Sequence, residues 1–124
     1  MIHLDTNYIV GLVTPRSPLE PQILAWMNAG EKFAASSIAW SEFLTGPVTA
    51  GEISDASRIL DNRIVGFGAA EAQRAADIFN LTGRKRPTRT DCFIAATAMC
   101  ARVRLATNNT KHFAVFVPHG LALA

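Results

Sequence analysis

Three acids stand out by where they fall in the chain: Asp5, Glu42 and Asp91. Met1–Asn7 reads as a short buried strand, Ile2 and Leu4 alternating with His3, that ends on the carboxylate of Asp5. In open α/β sheets ligands bind in the crevice beyond the carboxyl ends of the strands. Glu42 stands among Ile38, Trp40, Phe43 and Leu44, and Asp91 precedes the apolar run Cys92-Phe93-Ile94-Ala95-Ala96. Each acid also has a purely structural reading. Asp5 can cap the helix that follows it, Glu42 can face solvent, and Asp91 can close a capping box with Thr88. Gathered at one crevice, however, three carboxylates would repel one another and rise in pKa unless a cation neutralised them. Oxygen ligands without a His or Cys cluster suit Mg²⁺ or Mn²⁺ rather than zinc. Such an ion lowers the pKa of bound water and stabilises charge on a phosphodiester.

The elements that must position these acids follow from hydrophobic spacing and breakers. Thr6–Val13 reads as a short apolar helix, ended by Thr14-Pro15-Arg16-Ser17-Pro18 because proline cannot continue a helix interior. Ile23, Leu24, Trp26 and Met27 recur at helical spacing and predict a helix over Leu19–Ala29, stopped at Gly30. Lys32–Ser36 reads as a second strand, Ile38–Thr45 as a helix capped by Ser36-Ser37 and stopped by Gly46-Pro47, and Ile53–Leu60 as a polar surface helix. Arg63–Phe67 reads as a third strand, and Ala69 to Leu81 as a long helix ending before Gly83. Thr90–Ala101 is a helix so rich in small residues that it must pack closely on most sides. Arg104–Thr107 reads as a fourth strand, Asn108-Asn109-Thr110 as a loop, and Ala114–Val117 as a fifth strand. Helices between most strands predict a parallel sheet covered on both faces.

The 124 residues make one domain, with 49% apolar and 18% charged residues, which argues against disorder. Net charge is only +2, yet nine of the 12 basic residues are Arg, the residue that favours bidentate phosphate contacts. The only concentrated basic run is Arg84-Lys85-Arg86-Pro87-Thr88-Arg89, beside the start of the Asp91 helix. It reads either as a phosphate-holding segment or as a solvated loop. No apolar run is long enough to span a membrane, and no signal peptide is apparent. Cys92 and Cys100 lie on one predicted helix, roughly 12 Å apart, too far to pair. They read as small buried core residues in a reducing cytoplasm. His3, His112 and His119 form no ligand-spaced cluster.

These residues carry a resemblance. Asp5-Thr6-Asn7 at the end of the first strand resembles the opening motif of the PIN-domain family, and Ser41-Glu42-Phe43 resembles its second motif. The strongest match is Thr90-Asp91-Cys92-Phe93-Ile94-Ala95-Ala96-Thr97-Ala98, where the family has an aspartate followed by an Ile-Ala-Ala-Thr-Ala type of run. Leu105-Ala106-Thr107-Asn108-Asn109-Thr110-Lys111-His112-Phe113 resembles the fourth motif. The order and spacing of the four are similar to the VapC-type toxins of bacterial toxin–antitoxin pairs.

The resemblance implies a single PIN-like domain over residues 1–124, a three-layer α/β/α sandwich on a five-stranded parallel sheet. It implies a Mg²⁺- or Mn²⁺-dependent endoribonuclease that cleaves RNA with a metal-activated water. The metal ligands carried over are Asp5, Glu42 and Asp91. A fourth family acid aligns with Asn109, which brings a carbonyl but no charge, and a further family Asp aligns with His112. Thr6, Asn7 and Thr107 are expected to hydrogen-bond the carboxylates or bound waters. Arg84, Lys85, Arg86 and Arg89 are expected to hold flanking RNA phosphates. A cytoplasmic antitoxin partner and a homodimer are expected too, with Trp26, Met27, Trp40 and Phe43 as exposed docking residues. Two rival readings stand beside this one. A non-catalytic metal- or RNA-binding module is favoured by the missing fourth acid. An aspartate-nucleophile phosphatase is disfavoured, because it wants a second acid where the chain has Asn7.

Overall fold

The first residues form the middle of a parallel sheet. In the computed structural model, which describes residues 1–124, β1 (Ile2–Leu4) pairs in parallel with β2 (Phe33–Ser36) on one side and β4 (Arg104–Ala106) on the other. β2 pairs in turn with β3 (Ile64–Val65), so the order is β3-β2-β1-β4. All three residues of β1 are buried, His3 among them, as befits a strand covered on both faces. Chain order therefore runs outward from β1 through β2 to β3 and then returns to the opposite side of β1. The reversal leaves a crevice at the carboxyl ends of β1 and β4, where doubly wound sheets place their ligands.

Helices α1 (Thr6–Val13), α2 (Glu20–Asn28), α3 (Ser37–Leu44), α4 (Ala50–Ile59), α5 (Ala69–Leu81) and α6 (Arg89–Ala101) fill the connections. α1 packs on α2, α3 and α4, while α5 packs on α6. The Ala-rich run of α6 is buried through Ile94, Ala95, Ala96, Thr97 and Ala98, which lets neighbouring backbone approach closely. Its interior hydroxyl is satisfied, Thr97 Oγ1 donating to Phe93 O at 2.9 Å. The core also holds Ile9, Phe33, Phe43, Leu60, Ile78, Leu105, Phe113 and Phe116, each contributing roughly 1.5–3 kcal/mol by burial.

Three expectations are corrected. Ala114–Val117 is not a fifth strand: Thr110–Phe113 forms helix α7 and Ala114–His119 a 3₁₀ helix. Burial explains it. Phe113 and Phe116 are buried while Val115 and Val117 are about half exposed, a spacing of three rather than the alternation a strand needs. The outer edge of β4 is met instead by the segment around Leu123, in a single parallel bridge with Leu105. Backbone bonds from Leu105 N to Ala122 O (2.8 Å) and from Ala124 N to Leu105 O (2.9 Å) fasten it. Secondly, α4 begins earlier than its apolar residues suggest, because Thr49 and Glu52 form a reciprocal capping box. Thirdly, Cys92 is buried as expected but Cys100 is exposed.

Candidate active site

Asp5 ends β1 and caps α1, as its structural reading expects. Its Oδ1 accepts from the Thr6 backbone N–H at 2.7 Å, while its Oδ2 accepts from Thr107 Oγ1, also at 2.7 Å. Thr107 follows β4 directly, so this bond closes the crevice between the two adjacent strand ends. The Thr107 hydroxyl accepts in turn from the Asn109 backbone N–H at 3.0 Å. Asp5 is buried, and desolvation raises its pKa against the opposing pull of the Thr107 and Thr6 donors.

Glu42 reaches this place from α3. Its Oε1 accepts from Thr6 Oγ1 at 3.0 Å, so Thr6 links two of the acids, through its backbone to Asp5 and through its hydroxyl to Glu42. Asp91 lies in the first turn of α6, with its side chain 24% exposed. The expected capping box is absent there. Thr88 makes no cap bond to α6 and donates to Lys85 O at 2.6 Å. Burial raises the Asp91 pKa, the charges of Asp5 and then Glu42 raise it further, and His112 pulls the other way. The acids therefore feel one another electrostatically, and His112 Nδ1 lies 3.9 Å from Asp91 Oδ2.

The remaining expected residues divide. Asn7 does not touch a carboxylate: its Oδ1 accepts from the Asn108 backbone N–H at 3.1 Å and braces the loop after β4 against α1. Asn109 precedes α7, exposed, with its backbone anchored on Thr107. Of the basic run, only Lys85 lines a groove that also contains Asp91, together with Lys111 and His112. Arg89 points elsewhere, its guanidinium 5.3 Å over the Phe79 ring, beside a separate apolar pocket between α5 and α6. Sequence reasoning gave Lys111 no role, because it read Asn108–Thr110 as a loop and assigned no helix between it and Ala114. Two of the expected docking residues are also not free. Phe43 is fully buried, and Trp26 packs between Tyr8 and Phe33 at centroid distances of 5.5 and 6.4 Å. Met27 and the neighbouring Leu24 are exposed.

No three acidic, His or Cys side chains stand close enough together to share one ion directly. The donor set still has the chemistry of a hard divalent cation: all oxygen, with two carboxylates whose charge is disfavoured where they stand.

An acidic cluster at the switch point of a parallel sheet marks an α/β protein whose crevice is where such folds bind their ligands. Within that class the chain belongs to the PIN domain family, whose sequence model matches residues 2–116. Among solved structures, a toxin–antitoxin complex from Klebsiella pneumoniae is similar at 28% identity and TM-score 0.72, covering 92% of this chain and 91% of that one. FitAcB from Neisseria gonorrhoeae shares the fold at 24% identity and TM-score 0.72, covering 99% and 96%. VapBC2 from Rickettsia felis, bound to a fragment of its promoter DNA, shares it at 22% identity and TM-score 0.67, covering 100% and 98%. Among curated proteins no sequence matches.

Proposed function

We propose that this protein is a Mg²⁺- or Mn²⁺-dependent endoribonuclease, the toxin of a toxin–antitoxin pair. One observation carries the reading: in a PIN-domain chain, Thr6 and Thr107 hold Asp5 and Glu42 at the strand-end crevice, and Asp91 lies near enough for both charges to raise its pKa. Asp5 and Asp91 would hold the ion, and Glu42 would reach it through water. When bound, the ion supplies an activated water for in-line attack and offsets charge on the phosphate. The chain's own groups do the positioning. The Thr107 hydroxyl and Thr6 N–H fix both oxygens of Asp5, Thr6 orients Glu42, and Asn7 holds the loop that carries Asn109. Asn109 offers a carbonyl to water or substrate.

A complex with a cognate antitoxin is supported by the toxin–antitoxin assembly of the Klebsiella relative. The surface that suits it is a groove of about 270 Å³ beside α1, α2 and α4, lined by Leu12, Ile23, Leu24, Met27 and Ile59. No helix is long and apolar enough to cross a membrane. The rival reading, a non-catalytic module of the same fold, draws on the uncharged Asn109. Mn²⁺-dependent cleavage of RNA separates the two. The wild type should cleave and Asp91→Asn should lose most of the activity; undiminished cleavage by Asp91→Asn overturns the assignment.

A further inference from the structure

The acidic crevice does not end at Asp91. A groove of about 280 Å³ runs on from it between the turn after α5 and helix α7, lined by Lys85, Thr88, Asp91, Lys111 and His112. Thr82, Pro87 and Val115 complete its lining. Neither lysine is committed elsewhere. The ion pairs of the protein join Met1 and Arg104 to Glu31, Arg58 to Asp55, Arg63 to Asp61, and His112 to Asp91. Two free ammonium groups thus face one carboxylate that already belongs to the cluster with Asp5 and Glu42. The arginines of the nearby basic run do not line this groove, and Arg89 is engaged with Phe79.

We propose that this groove is a backbone subsite: Lys85 and Lys111, with the His112 imidazole beside them, hold an RNA phosphate next to the one at the acids. The inference rests on the ribonuclease reading and adds where the substrate strand runs. An anionic strand can approach a carboxylate cluster only if fixed positive charge meets its neighbouring phosphates. Here that charge comes from lysines, compact point charges that grip a phosphate without reading a base. The departure at His112 matters in the same way. An imidazole in the wall of the groove adds no negative charge to it.

Phosphate contacts of this kind leave a signature in salt. Each one contributes about −0.7 to the slope of log affinity against log salt for a single strand. Binding of a fluorescent single-stranded RNA in EDTA should therefore weaken on the order of tenfold in Lys85→Ala/Lys111→Ala, with the slope shallower by about 0.7 to 1.4. Arg74→Ala, an exposed charge on α5 outside the groove, should bind like wild type. Thermal melting of the variants confirms that they fold. Wild-type affinity and slope in the double variant, an equal loss in Arg74→Ala, or no RNA binding by the wild type overturns the subsite. Mn²⁺-dependent cleavage by the wild type is scored separately. Lysine-dependent binding without cleavage keeps the subsite and removes the nuclease reading, whereas cleavage with lysine-independent binding does the reverse.

Discussion

Lowering the pH should unfold this protein through one histidine. His3 lies in the centre of β1, is 2% exposed, and has an Nδ1 with no hydrogen-bond partner. Desolvation, with a smaller contribution from the positive amino terminus, lowers its pKa from 6.5 to about 4. In the unfolded chain the imidazole takes a proton below about pH 6.5; in the folded chain it refuses one until about pH 4. Between those values protonation favours the unfolded state, so the stability is full above pH 6.5 and is lost as the pH falls toward 4. Linkage puts the loss at about 2 kcal/mol by pH 5 and about 3 kcal/mol by pH 4. That is a large share of the 5–15 kcal/mol typical of a domain. Asp5 and Asp91 act in the opposite sense, because their raised pKa values return stability as they protonate. The comparison must therefore be with His3→Leu, in which every other group still titrates. In urea unfolding with EDTA, the stability difference between the two proteins should change by about 2 kcal/mol between pH 7 and pH 5. A flat difference, or a His3 imidazole that titrates near pH 6.5 by NMR, would refute the reasoning.

Two further substitutions probe the site and its frame. Thr107→Val deletes the donor 2.7 Å from Asp5, which should push that carboxyl further up and weaken Mn²⁺ binding on the order of tenfold or more. The rise in Tm on adding Mn²⁺ measures this, and a rise equal to that of wild type would contradict it. Arg102 closes α6 in the left-handed region at φ 57°, where a side chain is strained. Arg102→Gly should stabilise the protein by about 1 kcal/mol, and an unchanged or lower Tm would show that the strain is absent.

What the sequence reveals depends on whether one element or a pairing of elements decides it. The boundaries of α1, α2 and α6 are legible because breakers and apolar spacing lie within each segment: Pro15 and Pro18, Gly30, and the alanines from Ala95 to Ala98. The stretch from Ala114 to Val117 is not legible in this way. A short apolar run has no period of its own, and only the burial of Phe113 and Phe116 against the rest of the core selects a helix. The same limit governs Phe43. It lies four residues after Ala39 on the buried side of α3, while Glu42, one position away, is exposed, and the choice of side belongs to the packing partners. Lys111 is hidden for a related reason. Its place beside Lys85 exists only once α7 forms and α6 brings Asp91 between them.

In the opening motif, capping the helix and meeting a cation are compatible tasks for Asp5. A carboxylate oxygen has two lone pairs. Asp5 spends one on the Thr6 N–H at the start of α1 and one on the Thr107 hydroxyl at the end of β4, a single lone pair from each oxygen. Capping α1 therefore fixes the rotamer and leaves the second lone pair on each oxygen for a cation or a water. The cap is what makes the carboxylate stiff. On the opposite wall Asn109 is exposed and held through its backbone alone, its N–H on Thr107 and its carbonyl accepting from the His112 and Phe113 N–H groups. Negative charge therefore falls off from Asp5 toward Asn109, while the unpaired lysines line a groove with Asp91. The site is thus polarised, with carboxylates at the sheet and lysines at the mouth. That polarity suits a strand whose scissile phosphate enters the crevice while its neighbour stays outside.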